Sequence, residues 1–208
     1  MFVVFLALVG CNGEDPESDE LFVERSFENV GDQSLEGHTP RGFSGQGVGL
    51  FTGDNLNPGF PDGDGVQAFT TIDLATVGIA DALRVDSATL TIPESEISGT
   101  PFQDLGALVA EEVMYDAFSR DLFDLAPTTG GFSCTLATSA DDTPSCDATE
   151  LVAAAIAAEA DTIQLRIRFE TAGDNDGQGD LIFFNTDNAN EVVPGLVVID
   201  ATVAVTAE

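Results

Sequence analysis

The sequence contains no lysine and no tryptophan, and it has one histidine, one tyrosine and six arginines. Against these few basic groups stand 37 acidic residues, so the 208-residue chain carries a formal net charge of −31. Such a surface repels phosphate groups, and no basic patch exists that releases counterions on binding. The composition therefore argues against nucleic acid as a partner. It is typical of a protein in a cation-rich medium, where screening weakens self-repulsion.

Long apolar runs are also missing, because no segment reaches the roughly 18 residues that a membrane-spanning helix needs. Disorder throughout the chain is not expected, since 43% of the residues are hydrophobic and 15 phenylalanines supply bulky core material. A length of 208 residues fits one domain with short extensions.

The sequence also lacks a recognisable set of catalytic residues. His38, the single histidine, lies in Glu36-Gly37-His38-Thr39-Pro40, a stretch that predicts an exposed loop, whereas a Ser-His-Asp relay needs a rigidly held imidazole. No nucleophile-elbow sequence is present. Acidic pairs such as Glu111-Glu112 carry no weight for glycoside chemistry, because with 37 acids no spacing singles out two of them. We therefore predict no catalytic residues and no enzymatic activity.

The chain opens on an apolar stretch, Phe2 to Val9, which has the length of a signal-peptide h-region. It ends in Leu8-Val9-Gly10-Cys11, which resembles a bacterial lipobox. The resemblance implies that a diacylglycerol is attached to Cys11 and that the leader, residues 1–10, is removed. Several acyl chains, at roughly 0.8 kcal/mol per buried methylene, anchor a protein durably where one chain is marginal. An ordinary signal peptide or a buried first strand is the alternative interpretation.

Residues 11–20 are polar and acidic, as expected of a flexible tether between a lipid and a folded body. Asn12 follows the lipobox cysteine, at the position where inner-membrane lipoproteins carry a retaining aspartate. By resemblance to lipoprotein sorting, we expect the protein in the cell envelope, with the outer membrane or cell surface favoured over the inner membrane. The membrane is then a partner through the lipid anchor.

The three cysteines are an odd number, and a lipid on Cys11 leaves Cys134 and Cys146 as a pair. These two flank a polar, turn-rich segment, 135–145, and a disulfide closing such a loop contributes roughly 3 kcal/mol in the chain-entropy model. Export past the cytoplasm supplies the oxidising conditions that the bond needs. A shared metal ion is the competing interpretation, although no nearby cysteine or histidine completes a zinc set.

From Leu21 onward the dominant pattern is alternation of apolar and polar residues, which predicts β-strands. In the segment 164–170, Leu165, Ile167 and Phe169 face one way and the polar side chains face the other. Turn clusters rich in glycine, proline and aspartate separate the predicted strands, which include 66–74, 88–92, 105–115, 181–185 and 197–205. About eight strands with one polar face each predict an all-β fold, an antiparallel β-sandwich over residues 21–208.

One segment breaks the β pattern. Asp147-Ala148-Thr149-Glu150 is typical of a helix start with a capping box, and an apolar stripe on an alanine-rich stretch follows it. The pattern predicts one short helix at about 148–158 that packs across an open end of the sandwich.

The order of these segments resembles the DNRLRE-type domains of secreted bacterial proteins. The resemblance is carried by the Val-x-Ser-Ala-x-Leu strand at Val85 to Leu90 and by Asp147-Ala148-Thr149 at the helix start. The strand at 69–74 and the closing segment Pro194 to Val198 add to it. It covers roughly residues 48–205 and implies a jelly-roll-like sandwich, related in shape to carbohydrate-binding modules.

A glycine-rich acidic loop, 173–180, places three carboxylates close together in the sequence. Ca²⁺ binds six to eight oxygens on a tightly turning backbone, and glycine allows the chain to wrap around the ion. This pattern predicts Ca²⁺ at Asp174, Asp176 and Asp180, with a second, thinner site at Asp62 and Asp64. The same residue types also favour an acidic hairpin turn, so both interpretations stay open. No other cofactor is expected.

Together these features predict a non-enzymatic, lipid-anchored envelope or surface protein with a structural or adhesive role. Its expected partners are a cell-surface polysaccharide or another envelope protein. The alternative is a calcium-stabilised carbohydrate-binding module. Sugar-binding faces rely on exposed aromatic rings, tryptophan and tyrosine above all, and only Tyr115 is available here, so composition favours the first function.

Overall fold

The structure is a computed structural model, and it describes residues 20–41, 49–55, 65–75, 82–93, 95–184 and 195–206. Within these ranges the chain forms twelve strands, two α-helices and a short 3-10 helix. The strands are β1 (Glu20–Glu28), β2 (Gly37–Pro40), β3 (Phe51–Asp54), β4 (Gly65–Asp73), β5 (Ala82–Thr91), β6 (Glu96–Ser98), β7 (Leu108–Glu112), β8 (Ser133–Ala137), β9 (Ser145–Asp147), β10 (Thr162–Phe169), β11 (Asp180–Phe183) and β12 (Val198–Thr206). The helices are α1 (Pro101–Asp104), α2 (Thr149–Ala157) and the 3-10 helix Arg120–Asp124.

The strands of the described part of the chain assemble into two sheets. The four-stranded sheet has the order β1-β12-β5-β9, and the eight-stranded sheet has the order β6-β11-β3-β4-β10-β7-β8, with β2 also pairing with β4. The strand pairs are antiparallel throughout. The antiparallel β-sandwich that the sequence predicts is confirmed.

The first and last strands are partners over their whole length. Strands β1 and β12 form nine residue pairs, from Glu20 opposite Thr206 to Glu28 opposite Val198. Strand β1 is the edge of the four-stranded sheet, and acidic side chains recur along it. Charged residues on an edge strand discourage pairing with a further chain.

The core lies between the two sheets, because one residue in two along each strand points inward. On the four-stranded sheet the alternating apolar residues of β12 supply the inward face, and on the eight-stranded sheet those of β10 do the same. Helix α2 adds Leu151, Val152 and Ala155 to this core. Each fully buried aliphatic or aromatic side chain contributes roughly 1.5–3 kcal/mol relative to exposure.

The outer face of the eight-stranded sheet is partly covered by the segment 113–132 that connects β7 to β8. A second small apolar cluster forms beneath this segment, where Phe69 packs with Val113, Phe118 and Leu122. The polar residues of β10 face outward, as the alternation predicts. Arg166 is nevertheless buried, because the segment 113–132 covers it.

The helix and strand predictions hold in outline and differ at their ends. Helix α2 spans Thr149–Ala157, close to the predicted 148–158, but its N-cap is Ala148 and no side chain caps it. The Asp147 carboxylate accepts hydrogen bonds from the backbone N–H and the hydroxyl of Thr149, so the predicted capping box is wrong. The predicted strand 105–115 shortens to β7, because Leu105 terminates α1 and Gly106 has a φ of +87°.

Among the described residues no helix is long and apolar enough to cross a membrane.

Candidate functional site

The loop between β10 and β11 carries the three aspartates for which the sequence predicts Ca²⁺. Asp174 and Asp176 are exposed, and each accepts a hydrogen bond from a backbone N–H two residues further on. These bonds are the Asx-turn pattern by which aspartate stabilises a tight loop. Asp180 is separated from them, because it begins β11 and is only 2% exposed.

Within the described ranges, no group of three or more histidine, cysteine or acidic side chains is placed to hold a metal ion. The calcium site at Asp174, Asp176 and Asp180 stays a prediction. Asp62 and Asp64, the residues of the thinner predicted site, lie outside the described residues.

The structure instead brings Asp180 beside Asp54, a residue that the sequence analysis did not single out. The two are directly opposed on the antiparallel strands β11 and β3, and Asp54 is fully buried. Ile182 and Thr52 are two residues further along the same strands, are also paired and are buried, so both carboxylates lie on the same inward face as these two residues. The backbone N–H of Asp174 donates to Asp54 Oδ2 at 3.0 Å, which joins the acidic loop to the pair.

Two buried carboxylates in this arrangement oppose each other electrostatically. Opposed residues on antiparallel strands have Cβ atoms about 5 Å apart. At that separation, and with an effective dielectric constant of about 20, two full negative charges repel by about 3 kcal/mol. Among the described residues, the Asp180 carboxylate accepts one hydrogen bond, from the Thr100 N–H to Oδ1, and none donates to its buried Oδ2.

A polar groove of about 450 Å³ lies on the four-stranded sheet. Two ladders of opposed residues build it across β1, β12 and β5: Ser26, Asp200 and Thr89 in one, and Glu24, Thr202 and Ser87 in the other. Every residue of these two ladders carries a hydroxyl or a carboxylate, and the described residues that line the groove include no aromatic one. The arrangement offers many hydrogen bonds to a hydroxyl-rich ligand and no ring on which a sugar face stacks.

The sequence predicts His38 in an exposed loop, and the structure shows that this is wrong. His38 belongs to β2, where its ring lies against Phe51 with the ring centroids 3.8 Å apart. Its Nδ1 is 2.7 Å from the carbonyl oxygen of Gly49. Burial lowers the pKa of His38, although the bond to Gly49 raises it in part. These contacts explain the histidine as a packed strand residue.

Glu111 lies in a buried ionic cluster with two arginines of β10. Arg166 binds Glu111 Oε2 through Nε at 3.0 Å, and Arg168 Nη2 binds Oε1 at 2.7 Å. Arg166 Nη1 also donates to the carbonyl oxygen of Leu125 at 2.6 Å, so the cluster fastens the covering segment to the sheet. Burial raises the pKa of Glu111, but hydrogen bonds from Arg168 and Arg166 outweigh it and lower the pKa overall.

A second buried carboxylate, Glu36, lies near the single tyrosine. Glu36 is 2% exposed and accepts a hydrogen bond from Asn29 Nδ2 at 2.8 Å, and burial raises its pKa. The Tyr115 hydroxyl donates to the carbonyl oxygen of Leu35 at 2.7 Å and lies 3.2 Å from the Thr71 hydroxyl. Burial first, and the charge of Glu36 in addition, raise the pKa of Tyr115 to about 12. The Tyr115 hydroxyl is therefore used in hydrogen bonds within the fold.

The predicted disulfide between Cys134 and Cys146 is present. Its two cysteines lie on β8 and β9, which are the end strands of different sheets. The bond therefore connects the eight-stranded sheet to the four-stranded sheet along one edge of the sandwich.

The predicted leader, lipobox and tether up to residue 19, including Cys11, lie outside the described residues, so lipid attachment stays a prediction. In comparisons with known proteins, no family model matches the chain and no curated protein matches it.

Proposed function

We propose that this is a non-enzymatic protein of the cell envelope, held by lipid on Cys11, which presents its β-sandwich at the outer membrane or cell surface as a structural or adhesive component. The observation that carries the proposal is the disulfide between Cys134 and Cys146. Structural disulfides persist in oxidising compartments and are rare in the cytosol. A bond that joins the two sheets of the domain therefore supports folding after export.

The start of the sandwich agrees with a tethered body. Strand β1 begins at Glu20, where the predicted acidic tether of residues 11–20 ends. A tether of ten residues reaches at most about 35 Å when fully extended, at about 3.5 Å per residue. The lipid would thus hold the domain close to the membrane surface. The negative charge of the domain would keep the domain from lying flat on anionic lipids.

Lipid attachment is tested by mass spectrometry of the mature N-terminus and by detergent phase partition of the native protein. We expect an acylated Cys11 as the first residue and recovery in the detergent phase. The variant Cys11→Ser should move to the aqueous phase, whereas Cys134→Ser, which removes a different cysteine, should stay with the detergent. A wild-type protein that retains Met1 and stays in the aqueous phase would contradict the anchor.

Binding of a cell-surface polysaccharide is the second candidate, and the polar groove of β1, β12 and β5 favours it. Its carboxylates and hydroxyls match the donors and acceptors of a sugar chain. The absence of an aromatic residue from the groove lining predicts weak binding that depends on hydrogen bonds, since ring stacking contributes nothing there.

A glycan array, followed by calorimetry on any hit, tests this candidate. We expect Asp200→Asn and Glu24→Gln to weaken binding, because both side chains line the groove. Asp124→Asn is the matched control, since Asp124 is exposed on the segment that covers the other sheet. Equal binding by all three variants, or no hit on the array, would leave the structural or adhesive role as the proposal.

A further inference from the structure

Two buried aspartates and two glycines form a row across the eight-stranded sheet. Asp180 on β11 is opposed to Asp54 on β3, and Asp54 is in turn opposed to Gly65 on β4. On the other side of Asp180, the antiparallel pairing of Leu181 with Ser98 places the next residue, Gly99, opposite Asp180. The order across the sheet is therefore Gly99, Asp180, Asp54 and Gly65, so each carboxylate lies between the other carboxylate and a glycine. No side chain of the row carries a positive charge.

The Asp180 carboxylate has an incomplete set of partners although it is 2% exposed. Thr100 N–H donates to Oδ1, and the buried Oδ2 has no hydrogen-bond partner in the part of the chain that the structure describes. All six arginines lie in the described ranges, and the ion pairs formed there leave Asp180 out. Buried charges in proteins are paired or bind metal ions, because an isolated ionised carboxylate is too costly to bury.

Main-chain oxygens also come close to this row. A Cβ atom placed on Gly99 would lie 2.3 Å from Asp180 Oδ1 and 2.3 Å from the carbonyl oxygen of Gly179. A Cβ atom placed on Gly65 would lie 1.5 Å from the carbonyl oxygen of Ala172. Glycine at both positions lets the loop between β10 and β11 bring its carbonyl groups against the sheet.

We propose that Asp54 and Asp180 bind a divalent cation, Ca²⁺, with main-chain carbonyl oxygens of the neighbouring loop in its coordination shell. The donor set consists of oxygens alone, which hard cations prefer. Ca²⁺ accepts irregular arrangements of carboxylate and carbonyl ligands, whereas Mg²⁺ demands a near-ideal octahedron and releases its waters reluctantly.

The cation would neutralise the opposed carboxylates and fix the acidic loop to the sheet. The loop already contacts the pair, since Asp174 N–H donates to Asp54 Oδ2 at 3.0 Å. A cavity of about 320 Å³ nearby is lined by Gly99 and Thr100, and the backbone N–H of Thr100 donates to the Asp180 carboxylate. This inference needs neither the lipid anchor nor glycan binding, so its failure would leave both of those proposals standing.

The test is thermal unfolding of the purified full chain with CaCl₂ and with EDTA, together with calorimetric titration by CaCl₂. We expect Ca²⁺ to raise the wild-type Tm, and MgCl₂ to raise it less. Because Ca²⁺ affinity follows the number of charged ligands, Asp180→Asn should weaken binding by roughly tenfold or more. Asp124→Asn removes the same charge from an exposed position outside the loop and should bind Ca²⁺ as the wild type does.

Several results would overturn the proposal. One is a wild-type Tm that neither Ca²⁺ nor EDTA changes. Another is a Ca²⁺ response that Asp180→Asn and Asp54→Asn retain in full, which would place the ion elsewhere. A third is a wild-type protein whose stability does not respond to Ca²⁺ but increases in acid, while Asp180→Asn shows no such increase. That result would mean that the two carboxylates share a proton and bind no cation. If Asp180→Asn does not fold, Asp54→Asn and the wild-type titration decide the question.

Discussion

Cys134 and Cys146 are bonded to each other from the end strands of opposite sheets. Replacing both by serine removes a cross-link that closes a short loop and holds the two layers together at that edge. We expect the free energy of unfolding to fall by roughly 3 kcal/mol, the chain-entropy value for a loop of this size. Chemical denaturation followed by circular dichroism measures the change.

A reducing agent provides the matched control for the disulfide prediction. It should destabilise the wild type by a similar amount and leave the double variant Cys134→Ser/Cys146→Ser unchanged. Equal stability of the reduced and oxidised wild type would mean that packing alone holds the edge.

The buried carboxylate of Glu111 should be far more important for stability than its exposed counterparts. Glu111→Gln leaves Arg166, which is 6% exposed, without its ionic partner, and removing one member of a buried pair costs about 3–5 kcal/mol. Glu20→Gln breaks a solvent-exposed pair with Arg84 and should lower the stability far less, because exposed ion pairs contribute little. Urea unfolding of both variants compares them directly, and similar losses would contradict the structure.

The same carboxylate predicts an acid effect. Because the folded-state pKa of Glu111 is lowered from 4.5, the unfolded chain binds its proton more readily than the folded one. Its contribution to stability is therefore complete above the unfolded pKa and is lost as the pH falls through the folded value. The stability difference between wild type and Glu111→Gln should shrink over that acidic range.

Glu36 should act in the opposite direction. Burial raises its pKa above 4.5, so the folded protein holds the proton more tightly than the unfolded chain. The stabilisation is fully present below the unfolded pKa and is lost as the pH rises through the raised folded value. Glu36→Gln keeps a neutral side chain at every pH. Its stability relative to the wild type should therefore increase with pH, and parallel pH profiles of the two proteins would rule this out.

Gly99 and Gly177 form a matched pair for testing how closely the acidic loop packs. Both have positive φ, +76° and +80°, so alanine is strained at either position. A Cβ on Gly99 would lie 2.3 Å from Asp180 Oδ1, whereas a Cβ on Gly177 would meet nothing within 4 Å. Gly177→Ala should cost about 1–2 kcal/mol from the backbone alone, and Gly99→Ala should cost more. Thermal unfolding of the two variants gives the difference.

Much of the fold could be predicted from the sequence, because alternation is a local signal. Strands β4, β5, β10 and β12 and helix α2 lie close to their predicted positions. Strands β2, β6 and β9 are only three or four residues long, too short for alternation to mark them, and pairing with longer neighbours defines them. The predicted capping box is wrong because α2 begins at Thr149 with Ala148 as its N-cap, so Asp147 lies one residue before the N-cap position and its carboxylate bonds Thr149.

The candidate site depends on contacts that spacing does not show. Asp180 was noticed for its place in a glycine-rich loop, yet its partner Asp54 is 126 residues away in the chain and follows an ordinary Thr-Gly dipeptide. Arg166 looks like an exposed strand residue in the sequence, but the segment 113–132 covers it. Only the pairing of β3 with β11, and the path of that covering segment, reveal these groups.

The pairing of β1 with β12 has a mechanical consequence under the proposal that lipid holds the domain on its N-terminal side. A pull along the axis of β1 is resisted by the whole ladder from Glu20 to Glu28 at once. Force in this shear direction is divided among many hydrogen bonds, whereas a sideways pull opens them one after another. The domain should therefore withstand drag parallel to its first strand far better than peeling from the sheet edge.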